Sequence, residues 1–137
     1  MINKIVKDIE TLFKKDLVSI VLFGSYAADK QKGTSDIDLL VVADNLPPER
    51  KERLTLILAI SRKYLLQGKT VSIILRSRED IRNGFEYYNP LLLSIAENCR
   101  LLHDRDNFFL TLLNGIKDNI ARKKIRKFDD YSWRIAV

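Results

Sequence analysis

Two short apolar runs joined by a polar loop constrain this chain more than any other feature. Residues 17–23 (LVSIVLF) and 37–43 (IDLLVVA) are too short for ordinary helices and rich in β-branched residues, so each reads as a buried strand. Gly24-Ser25 follows the first run directly. Gly24 permits a tight turn and lets a ligand approach the backbone. Ser25 suits the N-cap of a short helix over Ser25–Asp29, whose free N–H groups and partial positive charge suit a phosphate. Asp36 and Asp38 open the second run. Residues two apart in a strand share a face, so the two carboxylates point together, and Ile37, Leu39 and Val41 point the other way. Adjacent carboxylates repel and need a cation. Hard oxygen donors suit Mg²⁺, completed by water and substrate phosphates.

A phosphate cradle at one strand end beside a carboxylate pair makes a nucleotide–metal site that can align a triphosphate for in-line attack. Gly24-Ser25, ten residues, then Asp36-Ile37-Asp38 resembles the signature of the polymerase-β-type nucleotidyltransferase superfamily. Spacing and chain length are similar to its minimal nucleotidyltransferases. The resemblance spans roughly the first 75–100 residues as a fold, with motif residues confined to 23–42. The plain alternative is a Gly-Ser turn and an ordinary Asp-x-Asp strand start.

The resemblance implies an α/β (α+β) fold, a small mixed twisted sheet with helices mainly on one face. It implies Asp36 and Asp38 as catalytic metal ligands, and Gly24 and Ser25 as holders of the β- and γ-phosphates of ATP or another NTP. An acceptor hydroxyl would attack the α-phosphate and release pyrophosphate. Minimal members of this superfamily pair with HEPN-type helical proteins, and some act as antitoxins by adding AMP to the partner toxin.

The bounds from composition agree. A chain of 137 residues is one domain, here a core over about 1–103 with a helix and basic tail over 104–137. It is 46% apolar and 31% charged, as a folded globular chain is. No apolar run approaches the ~20 residues of a membrane span. Lys4, Lys7, Asp8 and Glu10 interrupt the first apolar residues, against a signal peptide. Cys99 is the single cysteine, so no disulfide framework exists and a cytoplasmic location is expected. The net charge of +6 favours anionic partners.

The remaining chain builds the scaffold. Residues 1–15 form an amphipathic helix. Glu49–Gln67 reads as a long helix with Leu54, Ile57, Leu58, Tyr64 and Leu65 inward. Residues 70–75 (TVSIIL) form the third strand. Catalytic members of the superfamily carry a third carboxylate there as metal ligand and general base. The matching position is Ser72, a poor base without charge. Ser77 and Asp80 have the spacing of a capping box, which assigns Asp80 to a helix start instead. Short helices follow over 77–88 and 91–98, then an edge strand over 100–103 carrying His103. A last helix starts after Asp104 or Asp106. The tail carries Arg122-Lys123-Lys124-Ile125-Arg126-Lys127, with Phe128, Tyr131 and Trp133.

Three readings follow. The chain is a nucleotidyltransferase whose acceptor comes with a partner protein. Or it is an impaired nucleotide-binding or protein-interaction module, marked by Ser72. Or it binds nucleic acid through its basic tail. Self-association into a homo-oligomer is compatible with each.

Overall fold

A computed structural model describes residues 1–32, 35–122, 125–129 and 132–135, the last two ranges as backbone. The apolar runs become strands β1 (Leu17–Phe23), β2 (Ile37–Ala43), β3 (Val71–Arg76) and β4 (Arg100–Asp104) of one sheet, ordered β3-β2-β1-β4. β1 is antiparallel to β2 and β4, whereas β2 and β3 are parallel. A parallel pair needs a crossover, and helix α2 (Arg50–Leu65) supplies it.

The sheet is mixed, as the sequence suggests, but the helices do not gather on one face. Ile20, Leu22, Leu39, Val41 and Ile73 pack into one core with α1 (Ile2–Phe13) and α2. Val18, Val21, Leu40 and Val42 pack into a second core with α3 (Arg78–Glu86), α4 (Pro90–Glu97) and α5 (Phe108–Ala121). The cause lies in the central strands. β1 and β2 are apolar on both sides, so each side needs a helical cover.

α2 also turns differently from the sequence reading. Ile57, Ile60 and Tyr64 are buried, while Leu54, Leu58 and Leu65 are 56%, 42% and 60% exposed. This helix has apolar residues all round, so periodicity leaves its rotation open. A polar contact sets it. The Tyr64 hydroxyl donates to Asp8 of α1 at 2.6 Å, and Lys63 Nζ donates to the same carboxylate at 3.0 Å.

The helix starts behave as their residues dictate. Ser77 Oγ accepts from the Asp80 N–H at 3.1 Å, and Asp80 accepts from the Ser77 N–H at 2.9 Å, which closes the capping box of α3. Asn89 caps α4 through the Leu92 N–H at 3.2 Å. Asp104, at the end of edge strand β4, accepts from Ser19 Oγ at 2.7 Å and from the Phe109 N–H at 2.8 Å. It thereby caps α5 and satisfies a fully buried hydroxyl. Beyond α5 the backbone forms an antiparallel hairpin, β5 (Ile125–Asp129) with β6 (Ser132–Ile135), where the sequence reading has only a basic tail.

Candidate active site

Gly24 leaves β1 at φ +73°, a conformation that favours glycine. The residue before it, Phe23, pairs with Asp38 across the β1–β2 ladder. The turn therefore sits on the carboxylate, and a Cβ built on Gly24 would overlap Asp38 Oδ2. Ser25 does not cap a helix. The chain makes a single 3-10 turn over Gly24–Tyr26 with no side-chain cap, in place of the expected Ser25–Asp29 helix. The sharp bend at Gly24 puts Phe23, which has no capping atom, at the cap position. The carbonyls of Gly24 and Ser25 accept from the N–H groups of Ala28 and Lys30 at 3.2 and 2.8 Å. Arg100 of β4 donates to Asp29 at 2.6 Å and ties this loop to the sheet edge.

Asp36 is exposed and Asp38 half-buried. Asp38 shares its sheet face with Leu40 and Val42, as the two-residue period requires. Burial, and then the charge of Asp36, raise the Asp38 carboxyl above its ordinary range. Among the described residues no lysine, arginine or histidine pairs with either carboxylate. A half-buried carboxylate beside the open backbone of Gly24, with a second, exposed carboxylate near it and no cationic partner among the described residues, fits a hard divalent cation such as Mg²⁺.

No third acidic side chain among the described residues joins them. Among the described residues no cluster of three His, Cys, Asp or Glu side chains is placed to hold a metal ion. Ser72 lies directly beside Asp38 in the parallel β2–β3 register, and it is exposed. Asp80 cannot stand in for the absent carboxylate. It is held by Arg53 at 2.8 Å and by the Ser77 N–H. Burial opposes its ionisation, but these partners keep it below its ordinary range. α3 also starts past the far end of β3, and Ser72 to Arg76 alone spans about 13 Å at strand rise.

A cleft of about 730 Å³ opens at the Gly-Ser turn. Gly24, Ser25 and Lys30 line one side, and Pro90, Leu91 and Ser94 of α4 line the other. Its size falls in the range of small-ligand sites. The α4 wall escapes sequence reasoning. Its one trace is Leu91, an apolar residue 40% exposed in a helix already apolar on its inner side.

Other aromatic and titratable side chains, the sequence candidate His103 among them, have partners elsewhere. Tyr26 packs against the α1 core, with Lys69 Nζ 4.9 Å from its ring centroid. His103 pairs with Ile20 on the α1 face, opposite Asp38, and its Nδ1 is 4.0 Å from Glu10. Arg78 makes a forked contact to Asp44 at 2.9 and 3.1 Å, and Arg82 lies over Phe108. Lys123, Lys124 and Tyr131, and the side chains of 125–129 and 132–135, lie outside the described residues; of the basic cluster only the Arg122 side chain is described, and it pairs with Asp118 of α5 at 3.3 Å. Among the described residues no helix is long and apolar enough to cross a membrane.

Residues 2–103 match the family described as "Nucleotidyltransferase domain". Over 126 residues the chain is 38% identical to the Methanocaldococcus jannaschii protein named "Putative protein adenylyltransferase", covering 90% of this chain and 84% of that one. Its fold is similar to a crystal structure of a toxin-antitoxin with AMP-PNP, with a TM-score of 0.57 and 16% identity over 90% of this chain and 93% of that one. It is similar also to a mutant of the toxin-antitoxin MntA-HpeT, with a TM-score of 0.55 and 20% identity over 90% of this chain and 91% of that one. The match over residues 2–103 includes the whole Gly-Ser turn and the carboxylate pair, and this chain belongs to the nucleotidyltransferase domain family.

Proposed function

We propose that this chain transfers AMP from ATP, with Mg²⁺, to a hydroxyl group on a partner protein. The observation that carries the reading is the Asp36/Asp38 pair. Neither carboxylate pairs with a cationic side chain among the described residues, and Asp38 lies against the backbone of Gly24, which itself lines a cleft of about 730 Å³. The protein-adenylylating name of the archaeal relative supports a protein acceptor. The toxin-antitoxin neighbours support a partner that is the toxin of such a pair, and the superfamily resemblance points to a HEPN-type helical protein.

In this reading Asp36 and Asp38 hold the metal, which when bound neutralises charge on the triphosphate. Gly24 gives the phosphates a backbone without an obstructing side chain, and Ser25 offers its hydroxyl as a donor. The acceptor oxygen forms a bond to the α-phosphorus. The bond from that phosphorus to the bridging oxygen breaks, and pyrophosphate leaves. The hydroxyl proton passes to water or to a base on the partner, because Ser72 occupies the strand position nearest Asp38.

Ser72 also favours a second reading, a module that binds nucleotide or a partner protein without transfer. Titration calorimetry with ATP, with and without Mg²⁺, on the parent and the Asp36→Ala/Asp38→Ala variant tests the shared part. Metal-dependent binding that disappears in the variant supports the site. Transfer of label from α-labelled ATP to a co-purified partner then selects the transferase. Metal-dependent binding with no labelled partner selects the module. Absence of binding with every NTP overturns the transferase reading for this chain by itself and leaves a module that binds a partner protein.

A further inference from the structure

A groove of about 850 Å³ runs along the outer edge of β3, between α2 and α3, and is separate from the Gly-Ser turn. Its floor includes four consecutive strand residues, Ile73 to Arg76. Neighbours in a strand point to opposite faces, so consecutive residues line one cavity only where the strand edge itself forms the floor. β3 is the last strand in the sheet order. The Ile37 N–H donates to the Thr70 carbonyl at 3.0 Å, so alternate residues from Thr70 onward turn their main-chain groups toward β2. Those of Ile73 and Leu75 then point away, into the groove. The Leu75 carbonyl is taken by Arg76 Nη1 at 2.9 Å. Among the described residues the others have no main-chain partner. Such groups are open to water or to an added chain.

The charge of the groove is uneven. Arg50, Arg53 and Arg76 line it with one carboxylate, Asp80. Arg53 already spends itself on Asp80 at 2.8 Å and on the Pro47 carbonyl at 2.7 Å. Arg50 has no hydrogen-bond or ion-pair partner among the described residues, and Arg76 donates only to its neighbour's carbonyl. Burial, and then the repulsion of Arg50, disfavour the charged form of Arg76. An incoming carboxylate would offset both effects by favouring the charged form.

We propose that this groove binds an extended, acidic segment of a partner polypeptide, with carboxylates meeting Arg50 and Arg76 and main-chain groups pairing with the β3 edge. The unpaired strand groups select a polypeptide, and the arginine excess selects an acidic one. A second copy of this chain is a poor occupant, because edge-to-edge pairing of β3 would bring both sets of arginines together. A nucleic-acid strand would satisfy the arginines but leave the strand edge and the apolar wall of Ile57, Ile81 and Leu92 unused. Pro90 lines both this groove and the cleft at Gly24, so a segment lying here leads toward the nucleotide. That last step rests on the proposed transferase reading; binding in the groove does not.

The test is fluorescence anisotropy on nucleotide-free protein with a short labelled peptide alternating glutamate and valine. A lysine–valine peptide and poly(U) RNA serve as controls. The expected result is saturable binding of the acidic peptide that weakens with salt. Affinity should fall about tenfold in Arg50→Glu/Arg76→Glu, be partly kept in Arg50→Lys/Arg76→Lys, and be unchanged in Asp36→Ala/Asp38→Ala. Melting curves establish that each variant is folded. Equal binding of the lysine–valine peptide, or no binding of the acidic one, overturns the proposal. RNA that binds the groove more tightly than the acidic peptide also overturns it, as does dimerisation in sedimentation that the arginine variants abolish. Because the readout needs neither ATP nor transfer, its failure leaves the transferase reading standing. Failure of transfer likewise leaves the groove standing.

Discussion

The backbone of Gly24 lies directly against the carboxylate of Asp38, with no room for a Cβ between them. The Gly-Ser turn and the Asp-x-Asp strand are thus two halves of one contact, brought together because Phe23 and Asp38 are paired across the sheet. Gly24→Ala should damage both stability and site. A φ of +73° strains an L side chain by about 1–2 kcal/mol, and the overlap with Asp38 adds to it. The expected outcome is a loss of about 2 kcal/mol or more in urea unfolding and at least about tenfold weaker ATP binding in calorimetry. Unchanged values for both would mean that the turn does not rest on Asp38.

Asp38→Asn should stabilise the metal-free protein while removing metal-dependent nucleotide binding. The folded-state Asp38 carboxyl is raised, so the folded chain keeps its proton to higher pH than the unfolded chain does. Its contribution is favourable below the ordinary value of 3.8, declines as pH rises through the raised value, and is lost at neutral pH. Neutral asparagine avoids that loss. A gain of about 1 kcal/mol, or roughly 3 °C in melting temperature, is expected at pH 7 in EDTA. The gain should vanish near pH 3, where both proteins are neutral at this position. A variant that melts below the parent in EDTA at neutral pH contradicts this account.

Ser72→Asp would place a third carboxylate beside Asp38 in the β2–β3 register. Without metal it should cost about 1 kcal/mol through like-charge repulsion. Mg²⁺ should restore the loss, giving a larger metal-induced rise in melting temperature than in the parent. Label transfer to the partner should speed up as well. If Mg²⁺ shifts both proteins equally, Ser72 does not face the carboxylate pair.

Tyr64 and Asp8 lock α2 onto α1. The Asp8 hydrogen bond from Tyr64 leads the causes that hold this carboxyl below its ordinary range, and burial with the Asp8 bond pushes the phenol up to about 12. Asp8 therefore contributes stability above 3.8 that is lost as pH falls through its lowered value. Tyr64 contributes stability that is complete below 10.0 and lost as pH rises toward about 12. Tyr64→Phe should cost about 2 kcal/mol at pH 7 and flatten both limbs of the stability–pH curve. Urea unfolding across pH reads both effects, and a curve parallel to the parent's would rule the pair out as their source.

The placement of the candidate site residues was legible because their spacing is local. Gly24, Ser25, Asp36 and Asp38 occupy the ends of two strands whose bounds match the apolar runs. Asp36 directly precedes β2 and Asp38 lies in it, near enough that the charge of Asp36 acts on the Asp38 carboxyl. The capping box at Ser77 and Asp80 was legible for the same reason, since both partners lie within one turn. The rotation of α2 was not, because the contact that decides it joins Tyr64 to Asp8 in a different helix. Nor was the role of Ser25, since the cap position depends on how sharply Gly24 bends the chain.

By itself the sequence determined the four strands of the main sheet, the motif at the ends of two of them and the absence of a carboxylate at Ser72. These depend on residue type, short spacing and the two-residue period. Only the tertiary structure decided that helices cover both sheet faces, that α4 walls the cleft, that His103 lies on the side away from Asp38, and that three arginines gather along β3. Each of these joins residues far apart in the chain. Their positions are set by how the buried faces of separate elements fit together, which no local pattern encodes.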